Sequence, residues 1–347
     1  MLLAHNVLNG MQLYWEKHDL QFLKPAKTSR GAYTSKPSWL IYLTDKNITG
    51  VGEASPLPDL SVEGNKDLRP VLNQLQHLAG ENTPFEELLH LTKPYPSVRF
   101  ALECALLDLQ HGGNGILYPS IFTKGEAGIP INGLVWMNSI DEMLAEATQK
   151  VQAGFNCLKF KVGALDPDSE VKMVETIRKK HTAFQLQIRL DANGAWSHDD
   201  ALRLLKEFSR FDIHSLEQPI QSKQPDAMAE VCAKSPIPIA LDEELIGVPE
   251  SDIETLLHKI KPAYIILKPT LIGGFYLCNN WVQAAEKHNI GWWATSALEG
   301  NIGLSAIAQW VATKNSPLHQ GLGTGLLFEN NFPSKTKIVD SKLFYLI

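Results

Sequence analysis

A register of charged residues at the ends of successive β-prone runs constrains this chain more than any other feature. In QIRLDANGAW (Gln187–Trp196) such a run leads into Asp191, and Ala192-Asn193-Gly194 then breaks the strand ahead of a helical stretch. HSLEQPI ends a second run at Glu217, IPIALDEEL a third at Asp242 and YIILKPTLIGG a fourth at Lys268, at intervals of 26, 25 and 26 residues. Upstream, CLKFKVG carries Lys159 and Lys161 on a strand of its own. Each interval is about one strand plus one helix long. The polar residues therefore recur at the same end of successive strands, where parallel α/β folds place their chemistry. Taken singly, each acid could equally cap the following helix or make a local salt bridge. The shared register, with lysines on both sides, argues for one site.

Three carboxylates converging on one spot repel each other unless positive charge sits among them. Separate carboxylates offering only oxygen suit Mg²⁺, with Mn²⁺ as a possible substitute, and such an ion keeps positions for water and substrate oxygens. The expected metal set is Asp191, Glu217 and Asp242.

The rest of the composition excludes more than it specifies. A chain of 347 residues with 44% hydrophobic and 20% charged residues is an ordinary globular protein long enough for two domains. Its net charge of −6, without a basic cluster, argues against nucleic acid or an anionic membrane as partner. Four widely spaced cysteines (Cys104, Cys157, Cys232 and Cys278) form no CxxC pair, which suits reduced thiols in the cytoplasm. The N-terminus lacks a signal-peptide pattern, and no apolar run is long enough to span a bilayer. The oligomeric state is not encoded in any pattern we recognise.

Residues 1–125 read as an α+β domain. Gln12–Leu20, Trp39–Thr44 and Val51–Glu53 are expected as antiparallel strands, with Lys46-Asn47 and Thr49-Gly50 as turn chemistry. The polar stretch Leu23–Pro37 between them is expected to be a loop, and its Arg30 is the charge best placed to meet an anionic substrate if the loop is a lid. Asp67–Leu78 and Ser97–His111 read as helices. The Gly112-Gly113 pair after the second is a helix stop, since no strand precedes it and no Gly-Lys-Ser/Thr follows.

From Ile129 onward strand-like and helical runs alternate, giving eight strand-like runs with seven helical connections, the first strand at Ile129–Met137 and the last run near His319–Leu327. Such alternation specifies a parallel sheet, and eight right-handed units can close into a barrel. The expected fold is therefore α/β: a (β/α)7β modified TIM barrel over residues 126–347, ending in a C-terminal tail and preceded by the α+β domain.

The succession LKFKVG, RLDANG, LEQP, ALDE and ILKP resembles the enolase superfamily, specifically its muconate-lactonizing branch. Within that branch TSRG (Thr28–Gly31), GEASPLP (Gly52–Pro58), ILKPTLIGG, ATSALEGNIG and GLGTGLLF look most like the o-succinylbenzoate synthase family, dehydratases of menaquinone biosynthesis. The resemblance covers nearly the whole chain and makes the N-terminal region a capping domain. It implies a Mg²⁺-dependent carbon–oxygen lyase acting on a small carboxylate substrate by syn elimination of water. It also implies substrate contacts from Thr295 and Ser296. An N-succinyl or N-acyl amino acid racemase on the same scaffold stays open as the alternative, with a cycloisomerase third and a non-catalytic barrel last. The His–Asp pair of mandelate-type racemases is absent.

The chemistry can be stated from the residues alone. Taking a proton from the carbon next to a carboxylate requires a neutral base, yet a free lysine with a pKa near 10.4 is about 99.9% protonated at pH 7. Lys159 and Lys161 share one strand face at i, i+2, and each ammonium, with a nearby metal, disfavours charge on its neighbour. A depression to roughly 7–8 would suit Lys161 as the base, with Lys159 binding carboxylate or tuning it. Two lysines on an exposed strand edge would look the same in isolation. Lys268, from the opposite side of a barrel, supplies charge in a dehydratase and a second base in a racemase. Asn193 can orient metal ligands or simply form the turn before Gly194. Gly321, Gly323 and Thr324 bring bare backbone and no charge, either to bind an anionic group or as a tight turn. An Asp-x-Asp, which binds the substrate ammonium in the related dipeptide epimerases, is missing there. His319 and the other histidines are expected to be structural.

Overall fold

The computed structural model describes residues 11–28, 31–81 and 83–347. Three N-terminal strands, β1 (Gln12–Thr28), β2 (Gly31–Asp45) and β3 (Ile48–Ala54), form an antiparallel sheet in that order. Helices α1 (Arg69–Gly80), α2 (Phe85–Leu91) and α3 (Pro96–Gln110) follow. The sequence reading has no counterpart for α2. The turn between β2 and β3 falls on Lys46-Asn47 as expected, with Lys46 at a φ of 53°. Thr49-Gly50 is not a turn; it lies within β3, opposite Thr44 and Leu43. The reason is packing. A β-carbon on Gly50 would sit 2.0 Å from the Ala105 carbonyl oxygen, and one on Gly52 would sit 1.9 Å from that of Ala101. These glycines let α3 lie directly on the strand.

The stretch Leu23–Pro37 also departs from expectation. Residues 23–28 belong to β1 and residues 31–37 to β2, paired as Ala26↔Tyr33, Lys27↔Ala32 and Thr28↔Gly31, with a register irregularity between Gln21 and Ala26. Pro25, which argued for a loop, falls in that irregularity, where no ladder hydrogen bond is needed from it. The hairpin is held from outside its own sequence. Leu20, Phe22 and Ala26 pack with Leu57, Leu271, Ala297, Leu298 and Phe328, and the Leu23 N–H donates to the Leu327 carbonyl at 2.9 Å. Arg30 lies outside the described residues.

The remaining chain builds the barrel. After the short strand β4 (Ile129–Pro130), its strands are β5 (Gly133–Val135), β6 (Cys157–Lys161), β7 (Gln187–Asp191), β8 (Ser215–Glu217), β9 (Ile239–Leu241), β10 (Tyr264–Leu267) and β11 (Gly291–Ala294). Between them run α4 (Ile140–Gln152), α5 (Pro167–Lys180), α6 (His198–Phe208), α7 (Pro225–Lys234), α8 (Ile253–Ile260), the single turn α9 (Pro269–Ile272) and α10 (Phe275–Lys287), and α11 (Asn301–Ala312) follows β11. Local chemistry starts these helices where the sequence breaks: Ser139 and Glu142 form a capping box on α4, and Asp166 and Ser197 cap α5 and α6. Strands β5 to β11 form one parallel sheet in sequential order.

Two strand expectations need correction. Ile129–Met137 is not one strand: β4 pairs antiparallel with a C-terminal strand, and only β5 joins the barrel sheet. The eighth strand is reduced to a bridge. Gln320 and Gly321 pair in parallel with Ile131 and Thr295, so two residues close the ring between β5 and β11. The Gln320 N–H donates to Pro130 O at 2.8 Å and the Gly321 N–H to Ala294 O at 2.8 Å, while Asn132 and Ser296 donate back. The C-terminal tail folds as a hairpin, β12 (Thr336–Val339) and β13 (Lys342–Tyr345), with β13 against β4.

Helix α3 ties the two parts together. Its Ala101, Leu102, Ala105, Leu106 and Leu109 belong to the core under the N-terminal sheet, while Phe100, Cys104 and Leu107 belong to the barrel core. A helix apolar all round is one buried on all sides, and that is why this one reads as continuous core in the sequence.

Candidate active site

The register expected from sequence is realised at the C-terminal ends of the barrel strands. Lys161 on β6 pairs with Asp191 on β7, and Asp191 pairs in turn with Glu217 on β8. Asp242 directly follows β9 and Lys268 directly follows β10. All three acids are buried, Asp191 completely.

The lysines occupy the space among these acids. Lys159 Nζ donates to Glu217 Oε1 and Oε2 at 2.8 and 2.7 Å and lies 2.7 Å from Asp191 Oδ2. Lys161 Nζ donates to Asp191 Oδ2 at 2.5 Å and to Asn193 Oδ1 at 2.7 Å, and Lys268 pairs with Asp242. Burial alone would push the Asp191 carboxyl up, but the Lys159 and Lys161 ammonium groups outweigh it and hold Asp191 well below the usual carboxylate range. Glu217 goes the other way, because burial and the neighbouring Asp191 charge both favour its proton. Burial disfavours charge on Lys159 and Lys268 too, yet the carboxylates around them win and raise both above the ordinary lysine value. Each cation faces an anion before it faces its twin.

No three acidic, histidine or cysteine side chains among the described residues stand in a metal-holding arrangement, and the oxygens of Asp191, Glu217 and Asp242 are engaged by Lys159, Lys161 and Lys268. The chemistry of the donor set nevertheless fits a hard divalent cation. Three buried carboxylates at adjoining strand ends demand positive charge, and the ammonium groups of Lys159, Lys161 and Lys268 are already drawn in to supply it.

A cavity of about 750 Å³, mouth included, opens over these groups. Lys159, Lys161, Asn193, Glu243 and Lys268 line it from the middle strands, and Thr295, Ser296, Gly321, Gly323 and Thr324 from the last two. Every described substrate-contact candidate therefore reaches one space. Asn193 takes a left-handed φ of 46°, accepts from Lys161, and donates through Nδ2 to Glu243 Oε1 at 3.1 Å. It thus forms the turn and also hydrogen-bonds side chains of the site, its own N–H donating to Asp191 Oδ1 at 2.9 Å. Gly321 is different from expectation, because its N–H is spent on Ala294 O in closing the barrel. Its lack of a side chain answers to Thr295, whose Oγ1 would lie 2.2 Å from an added β-carbon. His319 hydrogen-bonds Asn156 Oδ1 through Nε2 at 2.8 Å.

A sequence family described as "Enolase C-terminal domain-like" matches residues 142–343, and one described as "MenC, N-terminal domain" matches residues 29–109. The chain is 41% identical to an o-succinylbenzoate synthase of Desulfotalea psychrophila, over 95% of this chain and 98% of that one. The chain belongs to the o-succinylbenzoate synthase family of the enolase superfamily. The crystal structure of MenC from Desulfotalea psychrophila superposes with a TM-score of 0.88 at 39% identity, covering 96% of this chain and 99% of that one. More distantly, a dipeptide epimerase from Enterococcus faecalis complexed with Mg and dipeptide L-Leu-L-Tyr shares the fold, with a TM-score of 0.82 at 20% identity, covering 97% of this chain and 96% of that one.

In this member of the o-succinylbenzoate synthase family the structure adds cavity residues that the sequence reading missed. Asn132, Leu134 and Trp136 enter from the first barrel strand region, and Leu57 and Leu60 from the segment after β3. Asn132 Oδ1 and Thr324 Oγ1, on residues that line the cavity, are buried without a hydrogen-bond partner. Gln218, next to Glu217 and fully buried, accepts from the Asp242 and Glu244 N–H groups through Oε1 at 3.2 and 3.3 Å. It fixes the backbone that carries Asp242. Its position inside LEQPI was the one available signal.

Proposed function

We propose that the protein is a Mg²⁺-dependent o-succinylbenzoate synthase, a carbon–oxygen lyase of menaquinone biosynthesis working in the cytoplasm. The observation that carries this reading is the 41% identity to an o-succinylbenzoate synthase along nearly the full length of both chains. The substrate is a hydroxy-cyclohexadiene carboxylate bearing a succinyl group. Residues 1–125 act as the capping domain and residues 126–347 as the catalytic barrel. The four cysteines, none of them in a disulfide, suit a reducing compartment.

Asp191, Glu217 and Asp242 would hold the metal, with Asn193 and Gln218 fixing their orientation. Bound there, a divalent ion supplies positive charge that offsets the negative charge gained by the substrate carboxylate as its α-proton leaves. Lys161, as the neutral amine, takes that proton; the electron pair moves into the carboxylate. It then returns to form the new double bond as the β-hydroxyl departs. The Lys161 ammonium gives the same proton to the departing hydroxide, so one base on one face completes a syn elimination of water. Lys159 and Lys268, which line the cavity, stay charged and stabilise the anionic transition state. Thr295, Ser296, Gly323 and Thr324 surround the succinyl arm, and Arg30 is the cation proposed to meet its carboxylate.

The decisive assay follows aromatisation of the cyclohexadiene substrate by ultraviolet absorbance. Turnover is expected in Mg²⁺, to vanish after EDTA treatment and desalting, and to return with Mg²⁺. Full turnover by metal-stripped protein would end the metal assignment. A second reading, racemisation of N-succinyl amino acids, is favoured by one observation: Lys161 from β6 and Lys268 from the end of β10 both line the cavity. The same preparation incubated with an N-succinyl amino acid separates the two activities.

A further inference from the structure

The wall of the cavity at Ser296–Leu298 is not held by the barrel alone. Lys36, on β2 and buried, donates through Nζ to the carbonyl oxygens of Ala297 and Leu298 at 2.7 and 2.9 Å. Glu53, on β3 and buried, accepts from the N–H groups of Gly300 and Gly303 at 2.7 and 2.8 Å and from the Ser38 hydroxyl at 3.1 Å. One strand pair thus grips the loop and the helix start that follows it: a cation on the carbonyls of Ala297 and Leu298, an anion on the amides of Gly300 and Gly303 at the N-terminus of α11. Between these grips Glu299 folds the loop on itself, accepting from Ser296 Oγ, the Ala297 N–H and Thr270 Oγ1 at 2.6, 2.9 and 2.6 Å. Leu298 carries a φ of 61°, a left-handed conformation that a leucine keeps only when its surroundings impose it. Ala297 and Leu298 both face the cavity.

We propose that Lys36 and Glu53 are positioning residues that set the substrate-facing wall Ser296–Leu298 from the N-terminal sheet. This rests on reading the cavity as the substrate site. Neither side chain lines the cavity; each acts through the backbone of a loop that does. A buried ammonium and a buried carboxylate are costly to desolvate unless each makes strong hydrogen bonds, and those bonds go to this loop, to the first turn of α11 that anchors its far end, and to Ser38. The loop therefore has one conformation as long as the sheet is docked. The dimensions of the site near the last two strands follow from the N-terminal sheet rather than from β11.

The test uses the full chain with Lys36→Met, which keeps length and loses the donors, and Glu53→Gln, which keeps shape and replaces one acceptor by a donor. Amide hydrogen exchange is read by mass spectrometry on peptides covering residues 294–304 and on peptides from β7 and β8. Exchange in 294–304 is expected to speed up about tenfold or more in both variants, with the β7 and β8 peptides unchanged, because local opening is released without global unfolding. In kinetics with the cyclohexadiene substrate, KM is expected to rise about tenfold while kcat stays within about threefold, since contact with bound substrate is lost but the lysines are not moved. If either buried substitution prevents folding, Ser38→Ala, nearly isosteric, is expected to shift exchange in the same segment in the same direction. Unchanged exchange at 294–304 in a cooperatively folded variant overturns the proposal, as does exchange that accelerates equally throughout the barrel. The exchange arm is read without any turnover, so it decides the positioning role even if the parent protein fails to dehydrate the substrate.

Discussion

At the scale of single residues, the lysines make the sharpest demands. If one base on one face performs the elimination, Lys161→Ala removes essentially all turnover, while Lys268→Arg, which preserves a cation beside Asp242, retains part of it. A racemase needs both lysines. In D₂O with an N-succinyl amino acid, a Lys268→Arg protein should still exchange the α-proton of the enantiomer served by Lys161, without inverting it. Undiminished dehydration by Lys161→Ala would remove the assigned base. A different residue controls a pH effect far from this chemistry. Burial pushes the Glu103 carboxyl up from 4.5 to about 7, against the pull of Arg99 and of the Phe275 and Tyr276 N–H groups. The folded state then holds this proton more tightly than the unfolded chain does. Its contribution to stability is complete below about pH 4.5 and is lost as the pH rises through about 7. Urea melts of the parent and of Glu103→Gln should show the parent's relative stability falling between pH 5 and 8. A constant difference across that range would mean that Glu103 does not titrate there.

At the scale of elements, the close contact of α3 with β3 predicts that Gly52→Ala destabilises the protein by about 3 kcal/mol or more, since backbone atoms cannot step aside as a side chain can. A thermal melt within a degree of the parent would contradict the packing. The same contact shows why elements differed in how readable they were. Strands β6 to β10 each combine an apolar run with a charged residue and a break, so their ends and their chemistry were visible together. β3 was read only in part, because Gly50 looks like a turn until the helix above it is known. The β1–β2 hairpin looked polar and proline-containing because its partners, Leu327, Phe328 and Asn330, lie at the other end of the chain. The β12–β13 hairpin turns through Asp340 and Ser341, both at positive φ, where an Asn-Gly pair would have given it away. The barrel closure was misjudged for a related reason. Two bridging residues need no strand-forming sequence, only neighbours on both sides. In the site itself the charged residues were legible, but Asn132, Gln218 and the Lys36–Glu53 grip were not. Their roles depend on which backbone atoms they reach, and spacing does not encode that.

At the scale of the whole molecule, α3 contributes to two cores at once, so the N-terminal sheet and the barrel should unfold together. Fluorescence from tryptophans on both sides, Trp39 in the first core and Trp310 in the second, is expected to report one transition. Two separated transitions would show that the shared helix does not couple them. Mg²⁺, if it binds the folded acids and not the unfolded chain, should add about 2.7 kcal/mol at a hundredfold excess over its Kd, and EDTA should reverse the gain. Titration of the melting temperature with Mg²⁺ measures this, and an unshifted melt at millimolar Mg²⁺ would argue against the three acids as a metal site.

The grips between the N-terminal sheet and the barrel span nearly the length of the chain: Lys36 to Ala297 and Leu298 are 261 and 262 residues apart, and Gln21 to Asn330 is 309. During synthesis the first sheet leaves the ribosome long before any of these partners exists. The hairpin's Leu20, Phe22 and Ala26 must wait for Leu271, Ala297, Leu298 and Phe328 while the barrel is translated. Contacts so distant in sequence close late and slowly. The cavity therefore comes into being only as the last few dozen residues arrive, and a nascent chain interrupted earlier carries the lysines and acids without a wall to hold a substrate against them.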